Sequence, residues 1–146
     1  MATEELIDAW AQNNRISLEL LQLCPDDTFN LKPGSGKTIR SNFTHIVSVR
    51  MSWADPKGNN LIKLDWKSAS REEIETALQA SSLIVGEYLA NLASSARPKK
   101  WTAEKMFAYL VAHEAHHRSQ IELTLRLAGR ELAESDMFAL WDWNKS

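Results

Sequence analysis

Apolar residues return every three or four positions over four long stretches of this chain, a spacing that marks amphipathic helices. The first stretch runs from about Thr3 to Leu23, with Leu6, Trp10, Leu20 and Leu21 on its apolar side. Thr3 can cap its start, and Glu4 and Glu5 suit the positive end of a helix dipole. Pro25-Asp26-Asp27 breaks the pattern. The second runs from about Thr38 to Trp53, with a stripe of Ile39, Phe43, Ile46 and Val47. Turn residues follow at Asp55-Pro56-Lys57-Gly58-Asn59-Asn60. The third spans about Arg71 to Ser95, with Ile74, Leu78, Val85, Leu89 and Leu92 as its inner residues. Ser70 and Glu73 have capping-box spacing, and Arg97-Pro98 stops the run. The fourth covers about Ala103 to Ala128, with Met106, Leu110, Ile121 and Leu125 inside. Thr102 can cap it, and Gly129 stands where a C-terminal glycine belongs. A short fifth segment, Ser135 to about Trp143, can form one or two turns.

No convincing strand interrupts this pattern. Leu61 to Trp66 is short and isolated, so it cannot build a sheet. Four amphipathic helices around one core predict an all-α four-helix bundle with a short C-terminal helical segment. The length of 146 residues suits a single domain, 1–146. The joins after the first and second helices are long, so simple up-down neighbours do not follow.

Charge and composition narrow the function. A net charge of −2 gives no basic face for nucleic acid. No apolar run is long enough to span a bilayer, and the acidic N-terminus lacks a signal core. The lone Cys24 provides no internal disulfide. These features lead us to expect a cytoplasmic protein. The six tryptophans can fill a core, line a pocket or seal an interface.

Two short motifs invite chemical readings. "PGSGKTIRS" resembles a phosphate loop, but the first glycine of that motif would fall on Leu31, and no buried strand precedes it. Thr38 reads more simply as a helix cap. The loop's amides could still touch an anion.

"HEAHHRSQ", His113 to Gln120, satisfies the H-E-x-x-H pattern of zinc proteases. On a helical wheel centred on Leu110, His117 lies about 20° from the centre and His113 about 60°. Both face inward one turn apart, and such a pair can hold one metal ion. His116 lies about 120° away, nearer solvent. The simpler alternative for each is a buried histidine hydrogen-bonded to a neighbour. His45 is the fourth histidine. It lies roughly 140° from the centre of its helix's main stripe, at a surface or boundary position. A second, mixed face through Thr38, Asn42, His45, Val49 and Trp53 could line a polar cavity.

"HEAHHRSQIELTLRLAG" resembles the C-terminal helix motif of the DinB/YfiT-like proteins, in which H-x-x-x-H-R-G-Q precedes an apolar stretch ending in L-x-x-x-G. "NFTHIVSVRMSW" is similar to their second-helix segment, and Trp10 with Asn14-Arg15 fits their opening. The resemblance runs to about Gly129. It implies a four-helix bundle with a divalent metal ion, zinc or nickel, held by His45, His113 and His117. For His45 the resemblance and the wheel disagree. Ser119 departs from the family's usual glycine. Some members are transferases or isomerases that use low-molecular-weight thiols.

The expected function is therefore a metal-dependent enzyme acting on a small molecule, with a thiol as the implied cosubstrate. The alternative is a non-catalytic metal-binding or dimerisation module. Proteolysis would instead use Glu114 as base and a downstream ligand such as Glu131 or Glu134. Glu114 lies about 40° from the inner centre. However, no histidine follows His117 and no sheet edge is available for substrate. Gln120 could orient a ligand or form an interhelical hydrogen bond. Arg118 could bind an anionic substrate or make an ion pair. Trp10, Asn14 and Trp53 are candidates to line the cavity, with core packing as the plainer role for the tryptophans. A homodimer is expected, and Trp141-Asp142-Trp143 could pack on the bundle or on a partner.

Overall fold

A computed structural model describes residues 3–97 and 100–145. The chain forms α1 (Thr3–Leu23), a 3-10 turn (Asp26–Thr28), α2 (Ile39–Ala54), α3 (Arg71–Ser94), α4 (Ala103–Leu127) and α5 (Glu134–Ala139). No strand occurs among the described residues, and Leu61 to Trp66 is irregular. Pro98, read as a helix stop, lies outside the described residues.

Three helix starts follow the capping chemistry of the sequence, whereas Thr3, read as a cap, already lies within α1. Thr38 accepts a hydrogen bond from the Ser41 amide and Thr102 from the Lys105 amide. Ser70 and Glu73 form the full capping box. Each cap satisfies an amide that the first helical turn leaves without a partner. At the end of α4, Gly129 takes φ +73°. This left-handed turn lets the Arg130 amide reach the Leu125 carbonyl at 2.8 Å and the Gly129 amide reach Arg126 at 3.1 Å. The pair is a Schellman closure.

The principal helix contacts join α1 to α3, α3 to α2, α2 to α4 and α4 to α1. Helices α1 and α2 therefore lie across a diagonal, and the 15 residues between Leu23 and Ile39 carry the chain over it. Helix α2 buries two faces. Its apolar stripe joins a core cluster with Leu20, Leu21, Ile74, Leu78, Ile121 and Leu125. Its mixed face meets α4. A second apolar cluster contains Leu6, Trp10, Val85, Leu89, Met106 and Leu110.

Between these clusters lies a buried polar layer. Glu114 and Arg50 are both fully buried and form a bidentate pair, Arg50 Nη2 to Oε1 at 2.7 Å and Nε to Oε2 at 2.8 Å. Arg50 Nη1 also donates to Asn14 Oδ1, the Leu78 carbonyl and Ser81 Oγ. Asn13 Nδ2 donates to Glu114 Oε1. An ion pair this deep is tolerable because its hydrogen-bonding positions are filled from three other residues' side chains and one carbonyl.

The C-terminal tail packs on its own bundle. Trp143 lies against the first cluster, Gln12 holds the Lys145 carbonyl at 2.8 Å, and Arg15 donates to the Asp142 carbonyl. The fifth helix gives the one to two turns expected and ends before Trp141.

Candidate metal centre

Helix geometry sets His113 and His117 one turn apart on the side of α4 that faces α2. The mixed face of α2 presents His45 to them. The ring centroids are 5.2 Å apart for His45 and His113, 4.6 Å for His45 and His117, and 4.6 Å for His113 and His117. One nitrogen from each residue lies within 4.8 Å of the other two. The Nε2 atoms of His45 and His113 are 3.3 Å apart. Two nitrogens bound tetrahedrally to one ion at about 2.1 Å would be separated by about 3.4 Å. The donor set fits a divalent ion.

His117 has a further constraint. Its Nδ1 lies 2.8 Å from Asn42 Oδ1, while Asn42 Nδ2 donates to the Thr38 carbonyl at 3.0 Å. The Thr38 carbonyl can only accept, so it orients the amide and turns Oδ1 toward the ring. His117 must then carry its proton on Nδ1, and Nε2 keeps a free lone pair. Asn42 lies three residues before His45 on the same face, a spacing that signals a shared site. In the sequence Asn42 shares that face with His45, but spacing alone assigns it no role.

Burial sets the charge of the trio. It lowers the His45 pKa, with help from Lys37 and His113. It lowers that of His113, opposed by Glu114 and aided by His116. His117 falls from the ordinary 6.5 to about 4, first through burial and then through His113, His45, His116 and Lys37. All three rings are therefore neutral near pH 7, the form that ligates metals. His116 is exposed and stays outside the group, with its ring 5.1 Å from that of His117.

The surroundings differ on the two sides. Tyr109 stacks beside His113 at 6.3 Å and belongs to an aromatic cluster with Trp53 and Trp101. Next to His45 opens a cleft of about 650 Å³, lined by Lys32, Lys37, Thr38, Ser41, Ser48 and Trp66 among others. The glycine-lysine loop thus borders this cleft. Gly34 and Gly36, at φ +62° and +118°, let the chain turn there.

These positions correct several sequence expectations. Of the two roles open to Trp10 it takes core packing, the plainer one, and its indole N–H donates to the Ser82 carbonyl at 3.0 Å. Asn14 lies in the Arg50 layer instead. Arg118 points to another face of α4, where Nη1 donates to Ser17 Oγ. Gln120 is half-buried, its carbonyl accepting from Thr124 Oγ1, and its side chain makes no hydrogen bond among the described residues. Trp53 packs on Tyr109, whose ring stacks beside that of His113. Glu114 points inward, as the wheel suggests, but both its oxygens are held by Arg50. With both oxygens committed to Arg50 and Oε1 also to Asn13, it is not free to serve as a protease base. Glu131 pairs with Arg126 at the surface and does not approach the histidines.

The sequence profile of the DinB family matches residues 1–145. The chain belongs to the DinB family. That membership accords with the all-helical bundle and with a histidine trio that could hold a metal ion. No curated protein and no solved structure matches the chain. No helix among the described residues of this DinB-family protein is long and apolar enough to cross a membrane.

Proposed function

We propose that His45, His113 and His117 ligate one divalent metal ion, zinc or nickel, and that the protein is a metal-dependent enzyme acting on a small molecule. The observation that carries this reading is the convergence of three neutral imidazoles, with Asn42 fixing the His117 tautomer toward the shared centre. A divalent ion supplies acidification of a thiol or water, so that a nucleophile forms near neutral pH. Three protein ligands are characteristic of a catalytic site with an open position, whereas structural zinc sites use four.

The chain's own residues supply binding and orientation. The cleft beside His45 offers Lys32 and Lys37 to an anionic group, hydroxyls at Thr38, Ser41 and Ser48, and an apolar surface at Leu64 and Trp66. This lining suits an anionic small molecule and, with a low-molecular-weight thiol, a thiol-dependent transfer. Cys24 is no substitute for an external thiol: it is buried, and burial pushes its pKa up to about 12. A cytoplasmic setting, which supplies such thiols, belongs to the same proposal, as does a homodimer. Because the tail folds back on its own bundle, a second copy would meet exposed apolar groups such as Leu83 and Phe138.

The test is a thiol-transfer screen across several low-molecular-weight thiols with electrophilic acceptors, run with metal-loaded and chelated protein. Activity that needs the metal and disappears in His117→Ala supports the enzyme. Loaded protein that is inert with every thiol favours the non-catalytic module. A native mass measurement decides the dimer.

A further inference from the structure

Two arginines are buried among the described residues, and they differ in what their guanidinium groups hold. Arg50 spreads its donors over Glu114, Asn14, Leu78 and Ser81. Arg118 is only 8% exposed, yet among the described residues it makes one hydrogen bond, from Nη1 to Ser17 Oγ at 3.0 Å. None of the ion pairs includes it. A guanidinium carries five N–H donors, and burying its charge without an acceptor is costly. None of its nitrogens is among the sealed, unpartnered side-chain atoms. Its unused donors must therefore be reachable from outside.

Arg118 lines a cleft of about 320 Å³ between α1, α4 and the C-terminal segment. Ile16, Leu20, Val111 and Leu140 make its walls apolar, and Trp141 and Trp143 lie at the tail side. It shares no lining residue with the cleft beside His45. Glu122, one turn beyond Arg118, also lines it; its carboxylate acts on the guanidinium through space but makes no hydrogen bond or ion pair with it among the described residues.

We propose that Arg118 anchors a second binding site, which takes a small monocarboxylate with an apolar body. The planar fork of Nε and Nη2 matches a carboxylate in two parallel hydrogen bonds. The apolar walls and the tryptophans cover a hydrocarbon or aromatic body. Glu122 opposes any anion in proportion to its charge, so a dianion such as phosphate is disfavoured more than a monocarboxylate, whose two oxygens the guanidinium can engage.

Octanoate is a suitable probe, read by tryptophan fluorescence, with octanol as its uncharged counterpart and inorganic phosphate as the dianion. Octanoate should bind saturably and at least tenfold more tightly than octanol, and phosphate should not compete. Arg118→Met should weaken octanoate at least tenfold and leave octanol unchanged, with the circular dichroism spectrum retained. If Arg118→Met does not fold, Ala115→Phe decides, because Ala115 is an exposed residue on the cleft wall. That variant should lose octanoate. Equal binding of octanoate and octanol, no saturable response, or octanoate binding that survives either variant would overturn the proposal.

Discussion

Asn42 decides which nitrogen of His117 faces the site, and its effect can be measured. Partners that orient a ligand in this way typically contribute 10–100-fold to metal affinity. Asn42→Leu should lower zinc affinity by about that factor while His45, His113 and His117 remain. A competition titration with a chromophoric chelator reads it, and unchanged affinity would remove Asn42 from the account. Protons compete for the same nitrogens. The folded His117 pKa of about 4 lies below the ordinary 6.5. Between those values the unfolded chain binds a proton that the folded chain refuses. The stability of metal-free protein should therefore be fullest above about pH 6.5 and fall as pH drops toward 4. His45 and His113 shift in the same direction and add to the slope. Urea midpoints across this window should flatten in His117→Gln; an equally steep slope would assign the titration to other groups.

At the scale of the helices, the buried Arg50–Glu114 pair ties α2 to α4 and thereby places His45 opposite the other two histidines. Removing one partner of a buried pair costs about 3–5 kcal/mol, against about 0–1 kcal/mol for an exposed pair. Glu114→Ala should thus lower the thermal midpoint far more than Glu131→Ala, whose partner Arg126 is exposed. Comparable losses would contradict the role given to the polar layer. This layer also shows why some of the molecule was legible in the sequence and some was not. The His113–His117 pair, the Ser70–Glu73 box and the Gly129 closure are local, so spacing along one helix is sufficient to define them. His45 depends on which two faces of α2 are covered. A wheel centred on the strongest apolar stripe finds the face in the main core and puts His45 outside it. The polar face proves to be the one against α4. Arg50 carried a signal that spacing could have used: it continues the Ile39–Phe43–Ile46–Val47 stripe, where a charge demands a buried partner. Residue type alone does not tell a core tryptophan from a cavity-lining one, so the sequence leaves both roles open for Trp10.

For the whole molecule, the order α1, α3, α2, α4 brings together residues 68 positions apart, His45 and His113. The site therefore exists only in the folded bundle. An ion that binds the folded chain alone stabilises it by mass action, about 2.7 kcal/mol at one hundred times its dissociation constant. Zinc or nickel should raise the thermal midpoint of the wild type in a concentration-dependent way and leave that of His45→Ala unmoved. The most direct measurement is the metal content itself. Protein purified without a metal-affinity tag, chelated, reloaded and desalted should carry one divalent ion per chain by mass spectrometry. His45→Ala, His113→Ala and His117→Ala should each lose it, while His116→Ala and Glu114→Gln keep it wherever they fold. Wild type that holds no stoichiometric metal after reloading, or a His45→Ala variant that holds as much as wild type, would contradict the three-histidine centre.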